Sequence, residues 1–445
     1  MISTMRYVAL MLVFVLAACS SVKDWLPGDE GGPVASEGKR EAVVARDSTL
    51  DPDGELSPTS IKLEPEVPDA DWQTTGGNAA NWAGHPMLAG SLEKIWQADV
   101  GDGSSRDYRL IAKPVAEEDR VYAVDAKGMV SAYQAEDGKK LWDFDTTPAE
   151  IDEEAMAGGL SVYKDMLLVS TGHAEVVALS KADGTLRWRK SVEFPVRSAP
   201  VANEGRVYAT NIANTTFALS ADNGAFLWRQ AGGAETTVLL GGGSPSVHND
   251  LVVVVHSTGD VYALRAQNGR IVWSDSLTKV SAPGGASNVS AIRASPMIVR
   301  GGVFVTSLSG PLSAISARTG ERVWERDIGS AFTPALSGNT LFVLGKNNEL
   351  FAMLGPSGRI VWRQQLDQRT EPDDPDSDRV TWSGPVLAGG KLYATNTRGE
   401  LVQFSPYNGS VTATYPLPAQ SLLPPIVARQ KLFVLTDDGQ LLAFR

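Results

Sequence analysis

The residue whose chemistry is most sharply defined by its neighbours is Cys19, the single cysteine of the 445-residue chain. It follows Leu16, Ala17 and Ala18. Small residues before a cysteine form the bacterial lipobox, in which the thiol takes a diacylglyceryl group and the cysteine becomes the new amino terminus after cleavage. Upstream lie the basic Arg6 and an apolar run from Tyr7 to Leu16. A membrane span needs about 20 apolar residues, so this run suits the core of a signal peptide. Each buried acyl CH₂ contributes about 0.8 kcal/mol, so several chains on Cys19 would anchor the protein firmly. Ser20 stands where an aspartate would direct retention in the inner membrane. Residues 1–18 are therefore expected to be a lipoprotein signal peptide, with the mature chain at the outer membrane on its periplasmic side. An ordinary signal peptide with an incidental cysteine is the alternative.

The remaining reactive residue types form no catalytic pattern. Four histidines, His85, His173, His248 and His256, show no zinc-site spacing. Gly241-Gly242-Gly243 lacks the lysine of a phosphate loop, and the chain has no Gly-x-Ser-x-Gly elbow. Acidic clusters occur at Asp152-Glu153-Glu154 and along Glu371 to Asp378, but without the oxygen-rich loop that calcium requires. The net charge of −12 disfavours nucleic acid as a partner. Catalytic residues, metal ligands and cofactors are accordingly expected to be absent.

The elements that would position any site are read from a repeat. A glycine followed four residues later by tryptophan recurs at Gly138 and Trp142, Gly184 and Trp188, Gly224 and Trp228, Gly269 and Trp273, Gly320 and Trp324, and Gly358 and Trp362. A seventh copy has Ala413 after Gly409. Upstream of each copy a short apolar strand, usually opened by proline as at Pro200, Pro245 and Pro296, leads into a second alternating strand. Four short strands in roughly 38 to 51 residues form one propeller blade. The last copy ends at Arg445 without a fourth strand, while Leu92 to Trp96 is a fourth strand with nothing before it. Joining them predicts an all-β, eight-bladed propeller over 71–445, closed by its two ends. The tryptophans, Trp96 included, are expected to be structural. Residues 19–70 are acidic and poor in apolar residues, and read as a flexible tether.

The Ala-Leu-x-x-x-x-Gly-x-x-x-Trp phrase resembles the repeat of the pyrroloquinoline quinone dehydrogenases. With a lipobox, a polar tether and a compact body, the whole is similar to the BamB family, lipoproteins of the outer-membrane β-barrel assembly machinery. That resemblance implies a non-enzymatic scaffold, a WD40-like propeller that binds the periplasmic domains of BamA beside other subunits, and that could receive unfolded outer-membrane proteins. A quinone-dependent periplasmic dehydrogenase, or a relic that still binds the cofactor, is the alternative. It would require an adjacent cysteine pair, which a chain with one cysteine cannot supply. A lipid-anchored propeller that binds a ligand or peptidoglycan is a third reading.

Connections from the fourth strand of one blade to the first of the next vary in length, and long insertions on one face mark a binding face. Two of them carry the candidate contacts, Leu239 and Leu240 before the fourth blade and Arg293 before the fifth. The resemblance implies a Leu-x-Leu-Arg stretch in the first and paired aspartates in the second. This chain has Thr237, Leu239 and Leu240 in the one, and Ala291 and Arg293 in the other. The leucines are expected to be apolar anchors and Arg293 a charge for the partner to complement, unless the leucines simply enter the core.

Overall fold

The computed structural model describes residues 50–233, 241–278 and 292–445. These form eight four-stranded antiparallel sheets. Each sheet is a blade whose strands A to D run outward from the axis. Blade 1, for example, consists of Val115–Glu117, Arg120–Val124, Met129–Gln134 and Lys140–Asp145. Inner strands are buried throughout and rich in Val, Leu and Ala, whereas D strands bury little but their tryptophan. That gradient follows from strands A to C being sandwiched between neighbouring blades while strand D forms the rim.

The eighth blade closes as expected. Its strands Ile426–Ala428, Lys431–Leu435 and Gln440–Phe444 are completed by Lys94–Asp99 from the other end of the described chain. Trp96 pairs with Ala443 and Ala98 with Leu441. Beyond the strands, the Glu93 and Arg445 amides each donate to the other residue's carbonyl, at 2.8 and 3.0 Å.

The Gly and Trp of the repeat act across blades rather than within one. The Trp96 ring lies against Gly138 of the next blade, and the same contact joins Trp142 to Gly184, Trp188 to Gly224, Trp228 to Gly269, Trp273 to Gly320, Trp324 to Gly358 and Trp362 to Gly409. Each indole Nε1 also donates to the carbonyl three residues before that glycine, as Trp228 does to Ala266 at 2.9 Å and Trp188 to Ala221 at 2.8 Å. The glycine thus has two reasons to be there. Its φ is positive, +69° at Gly269, and a Cβ would stand 2.6 Å from the ring. Asp137, Asp183, Asn223 and Asn268 each accept from the amide two residues on, fixing the turn.

Ala413 is explained by the same geometry. Blade 8 has no C–D turn, because its C and D strands come from opposite ends of the chain. A tryptophan at 413 would have no turn to dock on. Tyr415 holds that seam instead, its hydroxyl accepting from the Leu92 amide at 3.2 Å and its ring 6.4 Å from that of Phe444.

The segment before the first blade departs from the expected tether. Residues 1–49 lie outside the described residues, but 50–70 are packed on the propeller. Asp53 and Glu55 pair with Arg359, Glu64 with Arg300, and Asp71 with Arg429. Acidity that reads as a solvated chain is here matched to basic residues on blades 5, 6 and 8. The segment then crosses the end of the propeller where the A–B turns lie. Backbone bonds run from Arg429 to Ala70, between Trp72 and Ala116, from Val162 to Gln73, from Val247 to Ala79, from Ile298 to Ala80 and from Gly389 to Pro86. With Trp82 Nε1 on the Leu336 carbonyl, this strap touches seven of the eight blades. It satisfies inner-edge amides that strand A, lacking a neighbour towards the axis, would otherwise leave open.

Candidate partner-binding face

In an antiparallel blade the B–C turns and D–A connections share the face opposite the strap. The first candidate connection leaves the D strand Phe226–Ala231 and is pinned at its root. The Gly232 amide donates to the Asn214 carbonyl at 2.9 Å, and Asn214 Nδ2 donates to the Gly233 carbonyl at 3.0 Å. Gly232 lies so close over His256 that a Cβ would fall 2.2 Å from the imidazole. His256 is 2% exposed, with its ring 4.9 Å from that of Tyr262. Burial pushes its pKa down to about 4, so the ring is neutral at pH 7.

This histidine makes the root of the connection acid-sensitive. An unfolded histidine takes up its proton near pH 6.5, whereas the folded one does so near pH 4. Its contribution is complete above the unfolded value and is lost as pH falls from 6.5 through 4, about 3 kcal/mol in all. Denaturant titrations between pH 7 and 4.5 are expected to show a steeper loss for the parent chain than for His256→Asn. Equal slopes would remove His256 as the cause.

The far end of the connection is fixed as tightly. A Cβ on Gly243 would lie 2.4 Å from a Val255 methyl and 2.7 Å from the Ala294 carbonyl, and the Ser244 amide donates to Ser295 Oγ at 3.0 Å. Leu239 and Leu240 lie outside the described residues, as do Cys19 and the lipobox residues Leu16, Ala17 and Ala18. Arg293 is described. It is solvent-exposed, and its guanidinium rests over Gly241, the residue after Leu240, with Nη2 3.3 Å from a Cβ built there. The fold therefore brings Arg293 to the end of the leucine-bearing connection, although 52 positions separate Arg293 from Gly241. Surrounding protein lowers its pKa from the ordinary arginine value.

Two further cations share this region and escaped the reading of the sequence. Arg197 and Lys113 line one axial cavity with Arg293. Each precedes the proline that opens strand A, in Lys113-Pro114, Arg197-Ser-Ala-Pro200 and Arg293-Ala-Ser-Pro296. Arg197 and Arg293 both stand three residues before that proline, a signal carried by the repeat itself. Among the described residues, no three of His, Cys, Asp and Glu gather into a metal-ligand set.

Comparison with known proteins decides the family. The model of a family described as the outer membrane protein assembly factor BamB matches residues 91–153, 127–364 and 346–445, together spanning every blade. The chain belongs to the BamB family. BamB of Yersinia pestis is 26% identical over 360 residues, covering 80% of this chain and 89% of that protein. BamB of Escherichia coli K12 is 25% identical, with 77% and 86% covered. BamB of Xanthomonas campestris is 23% identical over 435 residues, with 97% and 94% covered. The crystal structure of BamB from Moraxella catarrhalis superposes with a TM-score of 0.67 at 16% identity, covering 80% of this chain and all of that one. A quinohemoprotein alcohol dehydrogenase from Comamonas testosteroni gives a TM-score of 0.63 at 11% identity, covering 85% and 81%. At that identity the dehydrogenase shares the propeller fold alone. Within the BamB family this chain is an outer-membrane protein assembly factor.

Proposed function

We propose that this chain is a non-enzymatic scaffold, lipid-anchored through Cys19 to the periplasmic face of the outer membrane, that binds BamA in the barrel-assembly complex through the D–A face. The observation that carries this reading is the juxtaposition of Arg293 with Gly241 at the end of the Leu239–Leu240 connection, within a chain of the BamB family. Apolar anchors beside an exposed cation suit a protein partner, the anchors providing affinity and the charge selecting orientation.

Two variants test it. Leu239→Ser with Leu240→Ser is expected to leave the unfolding midpoint within a degree or two and to reduce co-purification of BamA at least tenfold. A folded variant that binds BamA normally rejects the contact, and an unfolded one assigns the leucines to the core. Cys19→Ser is expected to move the protein from the membrane fraction to the soluble periplasm, and retention in the membrane would reject the anchor.

A specific observation also supports binding of unfolded outer-membrane proteins. The residue before the D-strand tryptophan is an exposed aliphatic at Ile95, Leu141, Leu227, Val272 and Val323. At Val361 of blade 6 it is buried, because the chain's own extended segment lies there with the Asp53 amide donating to the Ile360 carbonyl at 2.8 Å. The remaining D edges offer an extended client strand the same kind of seat.

A further inference from the structure

The axis of the propeller holds a small cavity. It is lined by residues that lead into strands A, together with Thr75 of the strap. Every charged residue lining it is basic, namely Lys113, Arg197 and Arg293, in a chain whose net charge is −12. Arg189 and Arg322, half-buried elsewhere in the propeller, have carboxylate partners in Glu175 and Asp275. None of the three axial cations has an ion pair with a described residue. Lys113 Nζ finds only the Thr75 carbonyl of the strap, at 3.3 Å.

Gly242 leaves the wall bare: a Cβ there would have nothing nearer than 3.9 Å. Three like charges around one space repel, and an anion among them turns each repulsion into a charge-assisted bond.

We propose that the axial cavity is a binding site for one small multivalent anion, a phosphate or a di- or tricarboxylate, held by Lys113, Arg197 and Arg293. Burial lowers the Lys113 pKa to about 8, and a bound anion would raise it again. The charged groups facing that ammonium across the cavity are the two arginines, so affinity falls as pH rises above about 8 and Lys113 loses its proton.

Calorimetric titration of the full chain in detergent, with inorganic phosphate in one arm and citrate in the other at an ionic strength fixed with chloride, tests this. Saturable one-to-one binding is expected in at least one arm, and the stronger arm identifies the anion. Lys113→Met, which keeps the packing, and Gly242→Leu, which fills the open wall, should each weaken binding tenfold or more while the unfolding midpoint without ligand stays near that of the parent. Binding that does not saturate in either arm overturns the proposal. So does unchanged affinity in both variants. Loss of BamA capture in Lys113→Met, without saturable anion binding by the parent, would also overturn it and assign the cations to an acidic partner segment.

Discussion

Replacing Trp228 by alanine is expected to destabilise the protein by about 3–5 kcal/mol, the cost of emptying a large buried aromatic site. The ring fills the seam between blades 3 and 4, and its Nε1 satisfies the Ala266 carbonyl. Gly269→Ala attacks the same seam from the other side and is expected to cost about 2–4 kcal/mol, combining the penalty for a side chain at φ +69° with a Cβ placed 2.6 Å from the ring. Gly301→Ala isolates the first of those terms. Gly301 has φ +79° and nothing within 4 Å of its Cβ position, so it should cost only about 1 kcal/mol. The double variant Trp228→Ala with Gly269→Ala should then be less destabilised than the sum of its parts, because the missing ring makes room for the methyl group. Urea denaturation of the four variants measures all of this. Strict additivity would show that the two residues act independently and that the Gly-to-Trp spacing reflects two local turn requirements.

That spacing explains why so much of the fold was legible. Six identical intervals can be counted without knowing that ring and glycine meet in different blades. The eighth blade was equally visible, since Trp96 is a D-strand signature with no strands before it. The strap was not. Many of its contacts are backbone to backbone, as from Val247 to Ala79 and from Ile298 to Ala80, and such bonds leave no trace in side-chain period. Its acidic residues read as solvated because the cations that receive them, Arg300, Arg359 and Arg429, are more than 200 positions away. The candidate site divides in the same way. Arg293 was found through its place before strand A, whereas Lys113 and Arg197 become its neighbours only when eight blades converge on one axis. His256 gave no signal, since one histidine in a B–C turn looks like any exposed polar residue until Gly232 is seen to cover it.

Removing the strap should have a larger effect than any of these single substitutions. A chain beginning at Ser91 keeps every strand, including Lys94–Asp99, so a strap that only decorates the surface would be dispensable. Its interactions predict otherwise. Trp72 and Leu88 are each 5% exposed and join the cluster that also holds Ile426, Leu432 and Phe433. Asn81 Nδ2 reaches the carbonyls of Pro245 and Pro296, at 3.0 and 3.1 Å, and so ties blades 4 and 5 together. His85 joins two other points: its Nε2 accepts from the Gly390 amide at 2.9 Å, which leaves Nδ1 to donate to the Glu64 carbonyl at 2.7 Å. Burying side chains of this size contributes about 1.5–3 kcal/mol each, and the strap's backbone bonds go to strand-A amides already held in place. The unfolding midpoint of the truncated chain is expected to fall by about 5–10 °C, with faster amide exchange at Val162, Val247 and Ile298, whose hydrogens the strap accepts. Adding residues 50–90 in trans as a peptide should restore part of the protection at those three amides. Equal midpoints and equal exchange in the two chains would mean that the blades close without the strap, and that its ion pairs with Arg300, Arg359 and Arg429 add nothing to stability.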